Sequence, residues 1–203
     1  MLLSVTLFAY AQEDQSLVAK GNELYKKQQF DEAAAEYRKA AGLNAKNSKA
    51  QYNLGDALYK SKKTEEAEKA FDDAAANSKD EMAKSKSFYN KGVALSSQKK
   101  LPESIDAYKE SLRLNAADEE ARQNLQRALN ELKKQSQQNQ QKQDNKKQDK
   151  QQNQNQPEQQ KNNSKLNQKQ VEQMLSALRK DEKKLQQDLQ KKNNIGRSNS
   201  KDW

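Results

Sequence analysis

Leu17–Ala40 reads LVAKGNELYKKQQFDEAAAEYRKA, and the same pattern returns twice further along the chain. It returns as YNLGDALYKSKKTEEAEKAFDDA from Tyr52 to Ala74 and as FYNKGVALSSQKKLPESIDAYKES from Phe88 to Ser111. The copies register on Gly21, Gly55 and Gly92. The first interval is 34 residues and the second 37, so three residues are inserted near Met82, Ala83 and Lys84. The chain has only five glycines, and three fall on this one position. Leu17, Gly21 and Leu24, then Leu54, Gly55 and Leu58, follow helical spacing. Pro102 stands where a second helix would begin, a place that accepts proline.

Each copy has further fixed points. Twelve residues after the glycine comes a small residue: Ala33, Ala67, Ser104. Four further on comes an aromatic, Tyr37, Phe71 or Tyr108, and three later another small residue, Ala40, Ala74 or Ser111. A repeat near 34 residues with this pattern resembles the tetratricopeptide repeat, over residues 14–47, 48–81 and 85–118. The resemblance implies an all-α solenoid of three antiparallel helix pairs. Each glycine would let its two helices approach closely, meeting the small residue twelve positions on. The family's proline near the repeat end is replaced by Ala45, Lys79 and Ala116. Its tryptophan-like fourth position holds Leu17, Gln51 and Phe88, and Gln51 predicts a less tightly sealed second repeat. After the third copy, EEARQNLQRALNELKK carries Ala121, Leu125, Ala128, Leu129 and Leu132 on one face, which predicts a capping helix ending near residue 134.

The composition argues against one large core and for either a partly disordered chain or an elongated fold that needs little core per residue. Only 32% of the 203 residues are hydrophobic and 33% are charged. Of the formal charge of +9, residues 12–134 hold 23 basic and 21 acidic side chains, and residues 135–203 hold 15 and 8. The basic character therefore belongs to the tail. Cysteine and histidine are absent, which excludes disulfides, thiolate zinc sites and Cys- or His-based catalysis. No phosphate loop, dinucleotide fingerprint or metal-binding motif is present. Adjacent acids such as Glu65-Glu66 and Asp72-Asp73 read as solvated helix faces. The expectation is a non-catalytic binding protein without cofactor or metal.

Residues 1–11, MLLSVTLFAYA, combine a short apolar run with an Ala-Tyr-Ala cleavage pattern and predict an export signal removed before Gln12. The run is too short for a membrane span of ~20 residues. Residues 135–165 are nearly all Gln, Asn, Lys, Asp and Ser, and predict a disordered spacer in which Gln and Lys permit transient helix. Within residues 166–203, Val171, Met174, Leu175 and Leu178 follow helical spacing, with Leu185 and Leu189 beyond. They predict an amphipathic helix that docks on a partner, folds back on the repeats or self-associates.

The tetratricopeptide resemblance implies a binding groove lined by the first helix of each pair. Its positions are Val18, Asn22, Tyr25 and Lys26 in repeat one. Repeat two supplies Lys49, Tyr52, Asn53, Asp56, Tyr59 and Lys60, and repeat three Lys86, Tyr89, Asn90 and Val93. Tyrosine offers apolar area with a hydroxyl at low entropic cost, and lysine favours acidic ligands. Asn22, Asn53 and Lys86 match the carboxylate-clamp subclass. Val18 and Asn90 replace two of its basic residues, which counts against a chaperone-tail clamp.

The whole layout, with VEQMLSALRKDEKK at residues 171–184 and the ending Lys201-Asp202-Trp203, resembles the BatC-type repeat proteins of the Bat (aerotolerance) operons of Bacteroidetes-type bacteria. That resemblance implies a periplasmic adaptor in oxidative-stress tolerance. Its partners would be membrane-anchored von Willebrand A-domain proteins, working with a cytoplasmic MoxR-type ATPase. The competing reading is a scaffold whose basic tail binds nucleic acid or a membrane surface. Against nucleic acid, the tail has no aromatic before Trp203 to stack on bases.

Overall fold

The computed structural model describes residues 2–152 and, further along, Ser176, Lys180, Lys183 and Gln187. The described residues form seven helices and no strand: α1 (Leu2–Lys26), α2 (Phe30–Leu43), α3 (Ser48–Lys60), α4 (Thr64–Asn77), α5 (Glu81–Ser97), α6 (Leu101–Leu114) and α7 (Glu119–Gln152). Contacts divide the chain into two units, Met1–Leu129 and Asn130–Trp203. In the first unit α1 packs on α2, α3 on α4 and α5 on α6, and each pair packs on the next. This is the expected solenoid of helix pairs.

The three glycines occupy equivalent close crossings. A Cβ built on Gly21 would lie 2.6 Å from the Tyr37 ring, one on Gly55 2.7 Å from Phe71, and one on Gly92 2.6 Å from Tyr108. Real Cβ contacts are never this short, so only glycine lets the aromatic of the second helix lie against the first. The atoms nearest the glycine are those of the aromatic sixteen residues on, rather than the small residue twelve on. Ala33, Ala67 and Ser104 are fully buried. Tyr37 and Phe71 are among the largest buried side chains. Sealing such a ring from water contributes roughly 1.5–3 kcal/mol.

The turn inside each pair is the same structure three times. Gln28, Lys62 and Lys99 adopt positive φ of 60°, 63° and 61°. Around each, two hydrogen bonds close the helix end: Gln28 and Gln29 donate to the carbonyls of Tyr25 and Leu24, Lys62 and Lys63 to Tyr59 and Leu58, and Lys99 and Lys100 to Ser96 and Leu95. This is the Schellman arrangement, usually built with glycine. Helices entering the later repeats are capped by side chains. Asn47 Oδ1 accepts from Ala50 N–H, Asp80 Oδ1 from Met82 N–H and Asp118 Oδ1 from Ala121 N–H, each at 2.9 Å.

Two expectations need revision. Gln51 does not loosen repeat two: it is buried, its amide donates to the Ala45 carbonyl at 2.8 Å, and its carbonyl accepts from Asn77 at 3.1 Å. A satisfied polar side chain seals that position. Second, α7 runs on through residues 135–152, where the sequence predicts a disordered spacer. Between Glu119 and Gln152 there is neither glycine nor proline, and Gln and Lys are good helix formers. Residues 153–165, and Val171, Met174, Leu175 and Leu178 of the expected docking helix, lie outside the described residues.

Candidate functional site

The groove expected from the sequence is the face made by α1, α3 and α5, and the start of α7 follows them in series. The structure places its residues on these first helices, one turn apart, and ties neighbouring helices together through them. Tyr25 donates its hydroxyl to Asp56 Oδ2 at 2.6 Å, bridging α1 and α3. Asn53 Nδ2 donates to Asn22 Oδ1 at 3.2 Å, and Tyr37 donates to the same oxygen at 2.8 Å.

A rule emerges for the later repeats. The asparagine at the sixth position donates to the tyrosine at the fifth position of the preceding repeat. Asn90 Nδ2 reaches the Tyr52 hydroxyl at 2.9 Å, and Asn124 Nδ2 reaches that of Tyr89 at 3.0 Å. Each tyrosine also meets the large aromatic of its own repeat, Tyr52 against Phe71 with centroids 5.9 Å apart and Tyr89 against Tyr108 at 6.0 Å. Repeat one has Val18 at the fifth position, so Asn53 turns to Asn22 instead. Val18 is buried in the core and does not line the groove.

The tyrosines therefore face both ways. Tyr25, Tyr52 and Tyr59 are partly buried against the core cluster, and their remaining area lies on the face. Burial pushes their neighbours' titration upward. The Tyr37 hydroxyl rises to about 12, through burial and then the Asp56 carboxylate. That of Tyr89 also rises to about 12, through burial and then Glu120. Tyr52 is raised by burial and by Asp56, and Tyr25 by burial and by its bond to Asp56. All remain neutral hydroxyls at physiological pH, able to donate or accept.

Lys26, Lys49, Lys60 and Lys86 are exposed, while Asp56, Asn90 and Val93 are half-buried. Lys26 pairs with Glu23 at 3.0 Å on its own helix. Lys49, Lys60 and Lys86 have no ion-pair partner among the described residues. Lys49 and Lys86 border a cavity of about 240 Å³ with Tyr52, Ala74 and Ala83. Among the described residues, no cluster of acids could hold a metal ion, and no helix is long and apolar enough to cross a membrane.

The start of α7 continues the series. Ala121, Leu125 and Ala128 are buried, Asn124 takes the sixth-position role, and Gln126 stands where a fourth glycine would fall. Among the described residues, no second helix brings an aromatic to that point, where a side chain is therefore tolerated.

Residues 18–81 match one tetratricopeptide-repeat family model and residues 85–118 match another. The chain is similar to the first tetratricopeptide-repeat domain of Spaghetti (RPAP3) bound to the HSP90 peptide SRMEEVD, at 27% identity and a TM-score of 0.54, covering 58% of this chain and 90% of that one. It is similar to the first such domain of human RPAP3 at 27% identity and a TM-score of 0.52, covering 57% and 89%. It is also similar to the TPR2AB domain of yeast Sti1 in its pHSP90 complex, at 30% identity and a TM-score of 0.56. There it covers 64% of this chain and about half, 51%, of that one. No curated protein matches the chain in sequence. With the glycine crossings, the aromatic seats and these matches in agreement, the pairs α1–α2, α3–α4 and α5–α6 are three tetratricopeptide repeats.

Proposed function

We propose that this protein is a periplasmic adaptor of the BatC type, which holds an extended segment of a partner protein across the face of its first helices. The observation that carries the binding role is the state of that face. It keeps half-exposed tyrosines on a hydrogen-bonded frame, beside Lys49, Lys60 and Lys86, which have no ion-pair partner among the described residues. Such a surface is rigid before it binds, which lowers the ordering cost of capture. The peptide complexes among its structural neighbours support an extended polypeptide as the ligand.

The finer assignment rests on the sequence. MLLSVTLFAYA supports export, and the residue 171–184 helix pattern with the Lys201-Asp202-Trp203 ending supports a place beside membrane-anchored von Willebrand A-domain partners. Capture from envelope extracts tests it. Mature chain starting at Gln12 retains such a partner. Lys60→Glu and Val93→Glu, on the same face, each reduce the retained amount several-fold while leaving the helical circular dichroism spectrum intact. Equal capture by both variants would place binding elsewhere. N-terminal sequencing of envelope material checks export, and a chain that still begins at Leu2 refutes it.

A further inference from the structure

The repeat period breaks once, and a cavity lies at the break. On the glycine register, α3 begins seven residues before Gly55 and α5 eleven residues before Gly92. The three inserted residues, with one taken from the preceding connection, are thus absorbed as an added N-terminal turn of α5, four residues and roughly 6 Å long at ~1.5 Å per residue. The turn is fixed by Asp80, whose carboxylate caps Met82 N–H and whose own N–H donates to Ser78 Oγ at 3.2 Å. Ala83 and Lys86, in and just beyond that turn, form one wall of the 240 Å³ cavity. Lys49 and Tyr52 of α3 form the other, and α4 contributes Ala74.

Size and chemistry narrow what fits. Small-molecule sites usually span about 300–1,000 Å³, so this space suits a single side chain rather than a cofactor. Its lining is mainly carbon. Lys49 and Lys86 are exposed at its border, come from different helices, and lack a counter-charge among the described residues. An aliphatic group would displace water from the cavity, and a neighbouring carboxylate would neutralise two like charges.

We propose that this cavity receives one aliphatic side chain of a bound acidic peptide while Lys49 and Lys86 hold a carboxylate side chain beside it. The proposal rests on the reading that the first-helix face binds an extended segment. It makes the irregular junction of repeats two and three the point where sequence is read.

A random heptapeptide library with blocked C-termini, panned on the mature chain, tests this. Wild type is expected to enrich peptides with Leu, Ile, Val or Met within two positions of Asp or Glu. Alanine in place of the aliphatic residue then weakens binding about tenfold or more. Ala83→Trp, which fills the space, removes the aliphatic preference. The surface pair Lys49→Glu/Lys86→Glu, which leaves the core untouched, removes the acidic one. Enriched peptides without the aliphatic–acidic pair, or the same preferences in both variants, overturn the cavity assignment and leave the adaptor standing. If wild type enriches no peptide at all, the adaptor reading falls and the cavity with it.

Discussion

The side-chain amide of Asn90 donates to the Tyr52 hydroxyl at 2.9 Å, joining the first helix of repeat three to that of repeat two. Both residues are half-buried, so the bond contributes a net ~0.5–1.5 kcal/mol to stability. In a double-mutant cycle, Asn90→Ala and Tyr52→Phe should show a coupling energy in that range by urea denaturation. Strict additivity would mean the two helices are held by packing alone.

The described glycines separate into two kinds. Gly55→Ala sets a Cβ 2.7 Å from the buried Phe71 ring and should destabilise by about 1–3 kcal/mol, despite alanine's better helix propensity. Gly42, also helical, has nothing within 4 Å of a built Cβ, and Gly42→Ala should stabilise by about 0.5–1 kcal/mol. Thermal melting reads both signs, and two shifts of the same sign would contradict the crossing geometry.

Ser104 occupies the place of Ala33 and Ala67, fully buried, with an Oγ that has no hydrogen-bond partner. An unsatisfied buried hydroxyl costs about 1–3 kcal/mol. Ser104→Ala should therefore raise the urea midpoint, by the equivalent of about 1 kcal/mol. Ser111→Ala is the contrast: its Oγ lies 3.1 Å from that of Ser85, and losing it should not stabilise. A lower midpoint for Ser104→Ala would show that its hydroxyl is solvated or bonded.

Alkaline pH should unfold the repeats before it unfolds an ordinary helical protein. Tyr37 and Tyr89 titrate near 12, and Tyr25, Tyr52 and Tyr108 are also raised, mainly by burial. An unfolded tyrosine titrates near ~10. Below that pH both states are protonated and the stabilisation is complete. Above it the unfolded chain loses protons first, so stability falls as pH rises towards 12, by up to ~1.4 kcal/mol per pH unit for each such tyrosine. Urea midpoints followed with tyrosinate absorbance should be flat to about pH 9.5 and then decline. A midpoint unchanged at pH 11.5 would contradict the burial of these rings.

Much of this was legible in the sequence because the repeat enforces it. Gly21, Gly55 and Gly92 announce the crossings, and Tyr37, Phe71 and Tyr108 announce what fills them. The partner of each glycine was misassigned to the small residue because spacing gives register but not side-chain reach. The inter-repeat ladder was half visible: Asn53, Asn90 and Asn124 recur at one position, yet their acceptors lie a full repeat away. The left-handed turns at Gln28, Lys62 and Lys99 were invisible, since none is glycine and nothing local marks a positive φ. The buried, doubly bonded Gln51 was misjudged from polarity, because its partners Ala45 and Asn77 come from the turn before and the helix after. The cavity was signalled only as an insertion near Ala83.

An array of identical modules has no natural last member, since each copy offers its successor the surface it met itself. Gln126 interrupts that recursion. It carries a side chain where every earlier copy has none, and the position sixteen residues on holds Lys142 in place of a ring. Helix α7 also runs through this stretch without the left-handed turn that separates the two helices of each earlier pair, so lengthening the array would need a glycine, a turn and a ring together.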